Sequence, residues 1–368
     1  MRTFHLALTG DFLNLEGSSA YGDIRLDLLR KAPFIRYDFI RDHAPRQDDP
    51  GYWDHLYSLE VTPDHIADID GLVVLRPWVK RGTFLRGAQR LVAIGRSGAG
   101  FDKIDVAACT DNDVVLFNAP HALNHSTAST ALLFMLALSK KLFAQDRITR
   151  DGRWDLQASV MGSELTGRTL GIVGLGHSGR ELVRLVAPFS MRFLAYSPHA
   201  DPGEAAALGV RLAPLDELVA ESDFVSIHAR LTAESRRMVG ARELGRMKPT
   251  AFLVNVARGE IVDQPALVEA LAAGRIAGAG LDVFATEPLP LDDPLIKLPN
   301  VILTPHWSPA TTDIWLDTGL AMSTGMLRVA RGEAPENVIN RDVLRRPGFQ
   351  SKLARFAENR ESSVAETR

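Results

Sequence analysis

Leu170-Gly171-Ile172-Val173-Gly174-Leu175-Gly176-His177-Ser178-Gly179-Arg180 is the stretch that decides the fold. An apolar run, a glycine-rich turn and a helix start follow one another there, in the order needed to hold a dinucleotide pyrophosphate. Gly174 permits the tight turn, Gly176 lets the backbone approach the phosphates, and Gly179 lets the helix pack closely on the strand. His177 and Ser178 lie between these glycines, at a helix N-terminus whose unpaired N–H groups and dipole favour an anion.

Downstream, Phe193–Tyr196, Phe224–Ile227, Phe252–Val254, Ala277–Leu281 and Val301–Leu303 read as short strands separated by helical segments. That alternation predicts a parallel sheet with helices on both faces. Upstream, Thr3–Leu8, Leu72–Leu75 and Arg90–Ile94 read as strands, with an amphipathic helix around Ile24–Leu29 and an exposed loop from Arg41 to Gly51. Thr127–Leu142 has the pattern of a long buried helix, and another helix runs from about Ala310 to Arg331. With 368 residues the chain exceeds one comfortable core, so two domains are expected.

A net charge of −3, without a basic stripe interleaved with aromatics, argues against nucleic acid as a partner. The apolar N-terminal run is broken at Asp11, too soon for a signal-peptide core, and Ala131–Leu138 is far short of a membrane span. Cys109 is the single cysteine, so no intrachain disulfide forms and no metal site is expected. It reads as a buried packing residue in a cytoplasmic protein.

Three charged residues stand where apolar strands should end. Arg258 follows Phe252-Leu253-Val254-Asn255-Val256-Ala257, Glu287 follows Gly280-Leu281-Asp282-Val283-Phe284-Ala285-Thr286, and His306 follows Ile302-Leu303-Thr304-Pro305. Alone, each is more often a surface charge or a structural residue. Ligands of open α/β sheets bind at the C-terminal strand ends, so the three together point to one crevice shared with the cofactor.

These motifs, with Gly98-Ala99-Gly100-Phe101-Asp102-Lys103-Ile104-Asp105 upstream, resemble those of the D-isomer-specific 2-hydroxyacid dehydrogenases, from about residue 60 to 338. The resemblance implies two Rossmann-like, doubly wound α/β domains with the active-site cleft between them, and a homodimer. The substrate domain would comprise residues 1–118 and 308–340, the dinucleotide-binding domain residues 119–307, and residues 341–368 a partly disordered tail. Its chemistry is a hydride exchanged between NAD or NADP and a small D-2-hydroxy acid or 2-oxo acid, of the hydroxypyruvate, glyoxylate or 3-phosphoglycerate class. Histidine is the residue type whose unperturbed pKa lies near neutrality, which suits His306 to general acid and base work; Glu287 would orient it and favour its protonated form, and Arg258 offers a planar fork to a carboxylate or carbonyl. Backbone N–H groups at Ser97, Gly98 and Ala99 would hold the substrate carboxylate. Asp282 occupies the position that meets the nicotinamide carboxamide, or is a turn acid capping its strand.

Departures from the family pattern bear on specificity. Ser197 stands where an acid usually binds the adenine ribose, which removes the charge that would repel a 2′-phosphate; only His199 is at hand to hold one. His228-Ala229-Arg230-Leu231-Thr232 lies on the expected adenine side next to the cofactor, as Ala257 does beside Arg258, and Arg230 replaces a proline. Ser129 replaces an acid, for which the sequence offers no mechanism. Trp78 and Trp307 either narrow the substrate pocket or simply pack, and Lys80 and Arg81 either suit an acidic substrate tail or are surface charges. Formate dehydrogenation is disfavoured by Glu287. The alternative to an enzyme is an NAD(H)-sensing, corepressor-like binding protein on the same fold, against which the complete Arg258, Glu287 and His306 set argues.

Overall fold

A computed structural model describes residues 1–307 and 309–359, and the chain divides into two compact units. Unit 1 comprises Met1–Leu123 and the chain from Ala310 onward; unit 2 is Asn124–Pro309. The sequence reading put these boundaries at 118/119 and 307/308. Residues just past 118 stay with unit 1 because the Ala119 N–H donates to Gly98 O at 3.1 Å.

Unit 1 is built on five parallel strands: β1 Phe4–Thr9, β2 Ile35–Ile40, β3 Gly71–Val74, β4 Ala93–Arg96 and β5 Val115–Asn118, in the order β2-β1-β3-β4-β5. The central strands are buried on both faces, which is why Gly71–Val74 reads as a continuous apolar run rather than an alternating one. β2 and β5 were not anticipated: β2 alternates polar and apolar residues beside a charged loop, and β5 is only four residues long. The helix Thr312–Ala330 covers one face, its Met322, Met326 and Val329 joining Phe4, Val73 and Phe117 in the core. The loop at Arg41–Gly51 is less exposed than its composition suggests, because the His43 ring is buried and bonded to Glu60 O at 3.0 Å.

The segment from Arg341, expected to be a tail, is folded as far as the described residues reach. The helix Pro347–Ala354 buries Phe349 and Leu353, and Phe356 packs against Phe4 with ring centroids 5.1 Å apart. Lys352 Nζ donates to the carbonyls of Leu91, Asn112 and Asp113 at 3.0, 2.6 and 3.3 Å. The Asn359 amide pairs with both backbone groups of Arg2 at 2.9 and 3.0 Å. Three apolar side chains and these polar contacts outweigh the polar composition that suggested disorder. The expected disorder at the very end falls on residues 360–368, outside the described residues.

Unit 2 carries seven parallel strands: β6 Thr169–Val173, β7 Arg192–Tyr196, β8 Val210–Leu212, β9 Phe224–Ile227, β10 Phe252–Asn255, β11 Gly278–Leu281 and β12 Val301–Leu303. Their order is β12-β11-β10-β9-β6-β7-β8, so the chain leaves β6 towards one edge and returns at β9 to build the other. The switch point of this doubly wound sheet therefore lies between β6 and β9, directly above the glycine turn. β8, three residues long, went unread. The buried helix ends at Ser139 rather than Leu142, because Lys141 adopts a left-handed conformation (φ 50°). A separate helix, Leu142–Arg150, follows at a bend of 56°. Among the described residues no single helix is long and apolar enough to cross a membrane.

Candidate active site

Parallel pairing in register brings the C-terminal ends of β10, β11 and β12 to one edge of unit 2. Beyond β10, the Asn255 side chain shapes the turn: its Oδ1 accepts the Ala257 N–H at 3.1 Å and its Nδ2 donates to Arg258 O at 2.9 Å. Arg258 Nη1 donates to Ala257 O at 2.6 Å, which holds the guanidinium close to its own turn. Gly259 then allows the approach of the next loop, since a Cβ there would lie 1.9 Å from the Phe284 carbonyl carbon.

That loop carries Glu287. Its Oε1 accepts the Phe284 N–H at 3.1 Å and its Oε2 lies 2.7 Å from His306 Nδ1. Burial alone would raise the Glu287 carboxyl. The hydrogen bond and charge of His306, the Phe284 N–H and the Arg258 charge together hold it below the usual carboxylate range. An ionised carboxylate only accepts hydrogen bonds, so His306 Nδ1 is the donor in this pair and Nε2 takes no part in it. His306 itself has a left-handed backbone (φ 54°), a conformation uncommon outside glycine, although histidine adopts it more readily than most residues. Asp282 fixes the peptide on either side of it. Its Oδ1 accepts the Thr304 hydroxyl at 2.5 Å and the Trp307 N–H at 3.0 Å, and the residue is only 1% exposed.

The glycine turn follows β6 as read. Gly174 has φ +98° and sits so close to the chain after β9 that a Cβ would lie 2.6 Å from Ala229 N. A Cβ on Gly179 would strike Gly174 O at 2.5 Å, whereas one on Gly176 would meet nothing within 4 Å. The turn thus presents an open face at Gly176, backed by the N-terminus of the ten-residue helix His177–Val186. Phosphate oxygens fit such a cradle. Among the described residues no group of three or more His, Cys, Asp or Glu could hold a metal ion.

Residues 132–308 match the NAD-binding domain of the D-isomer-specific 2-hydroxyacid dehydrogenases. A glyoxylate reductase from Korarchaeum cryptofilum is 39% identical over 298 residues, which is 80% of this chain and 90% of that protein. The chain belongs to the D-isomer-specific 2-hydroxyacid dehydrogenase family. A D-3-phosphoglycerate dehydrogenase from Archaeoglobus fulgidus is 38% identical over 70% of this chain, which spans only 48% of that longer relative. A glyoxylate reductase structure from Paecilomyes thermophila superposes with a TM-score of 0.76 at 25% identity, over 93% of this chain and all of that one.

Other residues singled out in this family member have mixed fates. In unit 1, Gly98 has φ +136°, and the Ser97 N–H donates to Val74 O at 2.8 Å, so one of the three expected carboxylate donors is already used. Trp78, also in unit 1, is half-buried with its Nε1 donating to Tyr57 O at 2.9 Å. Lys80 pairs with Glu60, and Arg81 with Asp111 and Asp105 at 3.0 and 3.8 Å. Burial pushes the Cys109 thiol up to about 12, which leaves it inert. In unit 2, Ser197 follows β7, and His199 is exposed. The nearby Asp201 is engaged as a helix cap, accepting the Glu204 N–H at 2.8 Å. Thr232 and Ser235 close a tight turn on each other, and the Ser235 hydroxyl donates to Arg230 O at 2.7 Å. The Ser129 hydroxyl donates to Ser126 O at 3.0 Å.

His228 was read only as a cofactor neighbour. Its ring bridges two hydroxyls, Ser178 at 3.1 Å from Nδ1 and Ser226 at 2.9 Å from Nε2, and so ties the glycine-turn helix to β9. Nothing in the spacing of these three residues revealed that bridge. Desolvation pushes His228 down to about 4, so the ring is neutral at neutral pH. The unfolded chain then binds one more proton than the folded one between the ordinary histidine range and about pH 4. Stability should fall as pH drops through this window, by at most about 1.4 kcal/mol per pH unit from this group. In urea melts between pH 7 and 4, His228→Asn should show a shallower decline than the parent; an identical decline would remove this role.

Proposed function

We propose that the protein reduces small 2-oxo acids to D-2-hydroxy acids, and catalyses the reverse, with a nicotinamide dinucleotide held at the glycine turn. The 2.7 Å Glu287–His306 pair, with the Arg258 charge acting on the same carboxylate, carries this reading. Bound there, the nicotinamide supplies the hydride for reduction and takes it back in oxidation. His306 Nε2 gives its proton to the carbonyl oxygen as the alkoxide forms. Glu287 keeps the ring in one tautomer and offsets the positive charge it carries before transfer. Arg258 polarises the carbonyl and pairs with the substrate carboxylate. Asp282 would be the residue to hold the nicotinamide carboxamide.

Ser197 brings no charge against a 2′-phosphate, and His199 and Arg230 are both exposed on turns beyond β7 and β9. On that ground the enzyme accepts NADPH as well as NADH. Glyoxylate, hydroxypyruvate and 3-phosphohydroxypyruvate are the first substrates to try, since the Korarchaeum and Archaeoglobus relatives are a glyoxylate reductase and a D-3-phosphoglycerate dehydrogenase.

The second copy of a homodimer would cover the apolar surface of residues 133–161. Leu133, Leu142, Phe143, Trp154 and Met161 are each more than half exposed, and the helix Leu142–Arg150 buries no residue of its own. Large apolar side chains gathered on one surface segment mark an association face.

Two experiments test these proposals. Steady-state oxidation of NADH and NADPH against the three acids should show turnover, and His306→Asn and Arg258→Leu should each lower kcat by about a hundredfold or more. In both variants cofactor binding, followed by fluorescence titration, should persist. Loss of cofactor binding, or full activity, would contradict the assigned roles. By light scattering the protein should have twice the chain mass, and Phe143→Glu with Trp154→Glu should yield single chains; a monomeric parent would refute the dimer.

A further inference from the structure

Glu287 sits on a loop of unit 2 that has little apolar anchorage of its own. Phe284 and Leu295 are buried at its two ends. Between them Ala285, Thr286, Pro288, Pro290, Leu291 and Asp292 are exposed, and Glu287, Leu289 and Asp293 are only half-buried. A segment with few buried apolar contacts opens locally unless polar contacts tie it down.

One side chain spans this loop. Gln264 is the first residue of the helix Gln264–Ala272 and is half-buried. Its Oε1 accepts the Ala285 N–H at 2.9 Å, and its Nε2 donates to Asp293 Oδ2 at 2.7 Å. A peptide N–H only donates and a carboxylate only accepts, so both contacts require the same orientation of the amide.

Both ends of the bridge reach the core. The helix is seated there by Leu267, Ala270 and Leu271, and Asp263 caps its start by accepting the Ala266 N–H at 3.4 Å. Asp293 Oδ1 accepts the Leu295 N–H at 2.9 Å, and Leu295 is fully buried in the same core. A single amide therefore fastens the entrance and the exit of the Glu287 loop to one helix start.

At the entrance, Phe284 and Ala285 present consecutive N–H groups. The first goes to Glu287 Oε1 at 3.1 Å and the second to Gln264. Holding Ala285 thus holds the peptide next to the one that fixes the carboxylate, whose other oxygen faces His306 Nδ1.

We propose that Gln264 is a positioning residue for the Glu287–His306 pair: by bridging Ala285 and Asp293 it keeps the Glu287 carboxylate on the imidazole. Its consequence for the rate rests on the reductase reading above.

The test compares the parent with Gln264→Leu, Gln264→Glu and the double variant Gln264→Glu with Asp293→Asn. Gln264→Leu removes both contacts. Gln264→Glu keeps an acceptor for Ala285 but sets two carboxylates against each other. The double variant exchanges amide and carboxylate, so acceptors for Ala285 and Leu295 and a donor between the two side chains are all present again. Kinetics are measured with NADH against glyoxylate, hydroxypyruvate and 3-phosphohydroxypyruvate. Each single variant should lower kcat about tenfold or more, by the same factor on every acid the parent reduces, with little change in the KM for NADH. A carboxylate beside an imidazole favours its charged form, so a slackened pair should also move the alkaline fall of kcat about half a pH unit or more towards acid. The double variant should recover most of the rate and the parent's pH profile. A lower melting temperature with an unchanged pH profile would overturn the proposal, as would a double variant no better than Gln264→Glu.

Amide hydrogen exchange needs no substrate. Peptides covering Phe284–Glu287 should exchange faster in both single variants and at the parent's rate in the double variant. Exchange unchanged by Gln264→Leu would overturn the bridge. A parent inactive on every 2-oxo acid, with exchange behaving as expected, would refute the reductase reading and still support the bridge.

Discussion

One close approach governs the geometry at the C-terminal strand ends of unit 2, the contact of Gly259 with the main chain at Phe284. A side chain at 259 would sit within 1.9 Å of the Phe284 carbonyl carbon, so the turn carrying Arg258 and the loop carrying Glu287 can lie together only because glycine separates them. From that contact follows the influence of Arg258 on the Glu287 carboxyl, whose Oε1 is held within its own loop by the Phe284 N–H. With one carboxylate oxygen fixed by the backbone, the other is left aimed at His306 Nδ1. The histidine pays for its place with a left-handed backbone, which the bonds from Thr304 and Trp307 to Asp282 hold on both sides. The Arg258 and Glu287 side chains are thus each held by a neighbour's main chain.

Both units use parallel sheets and gather polar groups at the C-terminal strand ends. The polar inventories differ. Unit 2 joins an acid, a base and a guanidinium on successive strands, with an anion-ready helix N-terminus at its switch point. Unit 1 places a buried Asp11–Arg76 couple between the ends of the neighbouring strands β1 and β3, framed by tyrosine rings. A hydrogen bond to a charged group contributes roughly 1.5–3 kcal/mol, and removing one partner of a buried pair costs more. Such groups are therefore kept in position as much by the penalty of separating them as by attraction.

Much of this was legible in the sequence because the signals are local. The three glycines of the turn each sit where a backbone conformation, a close packing contact or an open face demands no side chain, and their spacing alone carries that information. Arg258, Glu287 and His306 were legible because each follows an apolar strand. What escaped depends on contacts distant in sequence. Asp11 and Arg76 meet only because β1 and β3 pair, and Lys352 finds carbonyls some 240 to 261 residues away. The Ser97 N–H looked available until β3 supplied an acceptor for it. Strands β2, β5 and β8 were hidden by their charged or very short sequences, where tertiary pairing rather than local pattern decides.

The configuration of the product is the most direct measurement of the central claim, which is that a fixed His306–Glu287 pair and a fixed carboxylate anchor leave one face of the carbonyl open to hydride. Hydroxypyruvate, unlike glyoxylate, gives a chiral alcohol. Reduced by this protein and resolved on a chiral column, it should yield the D-hydroxy acid alone; the L acid, or a racemate, would contradict the account.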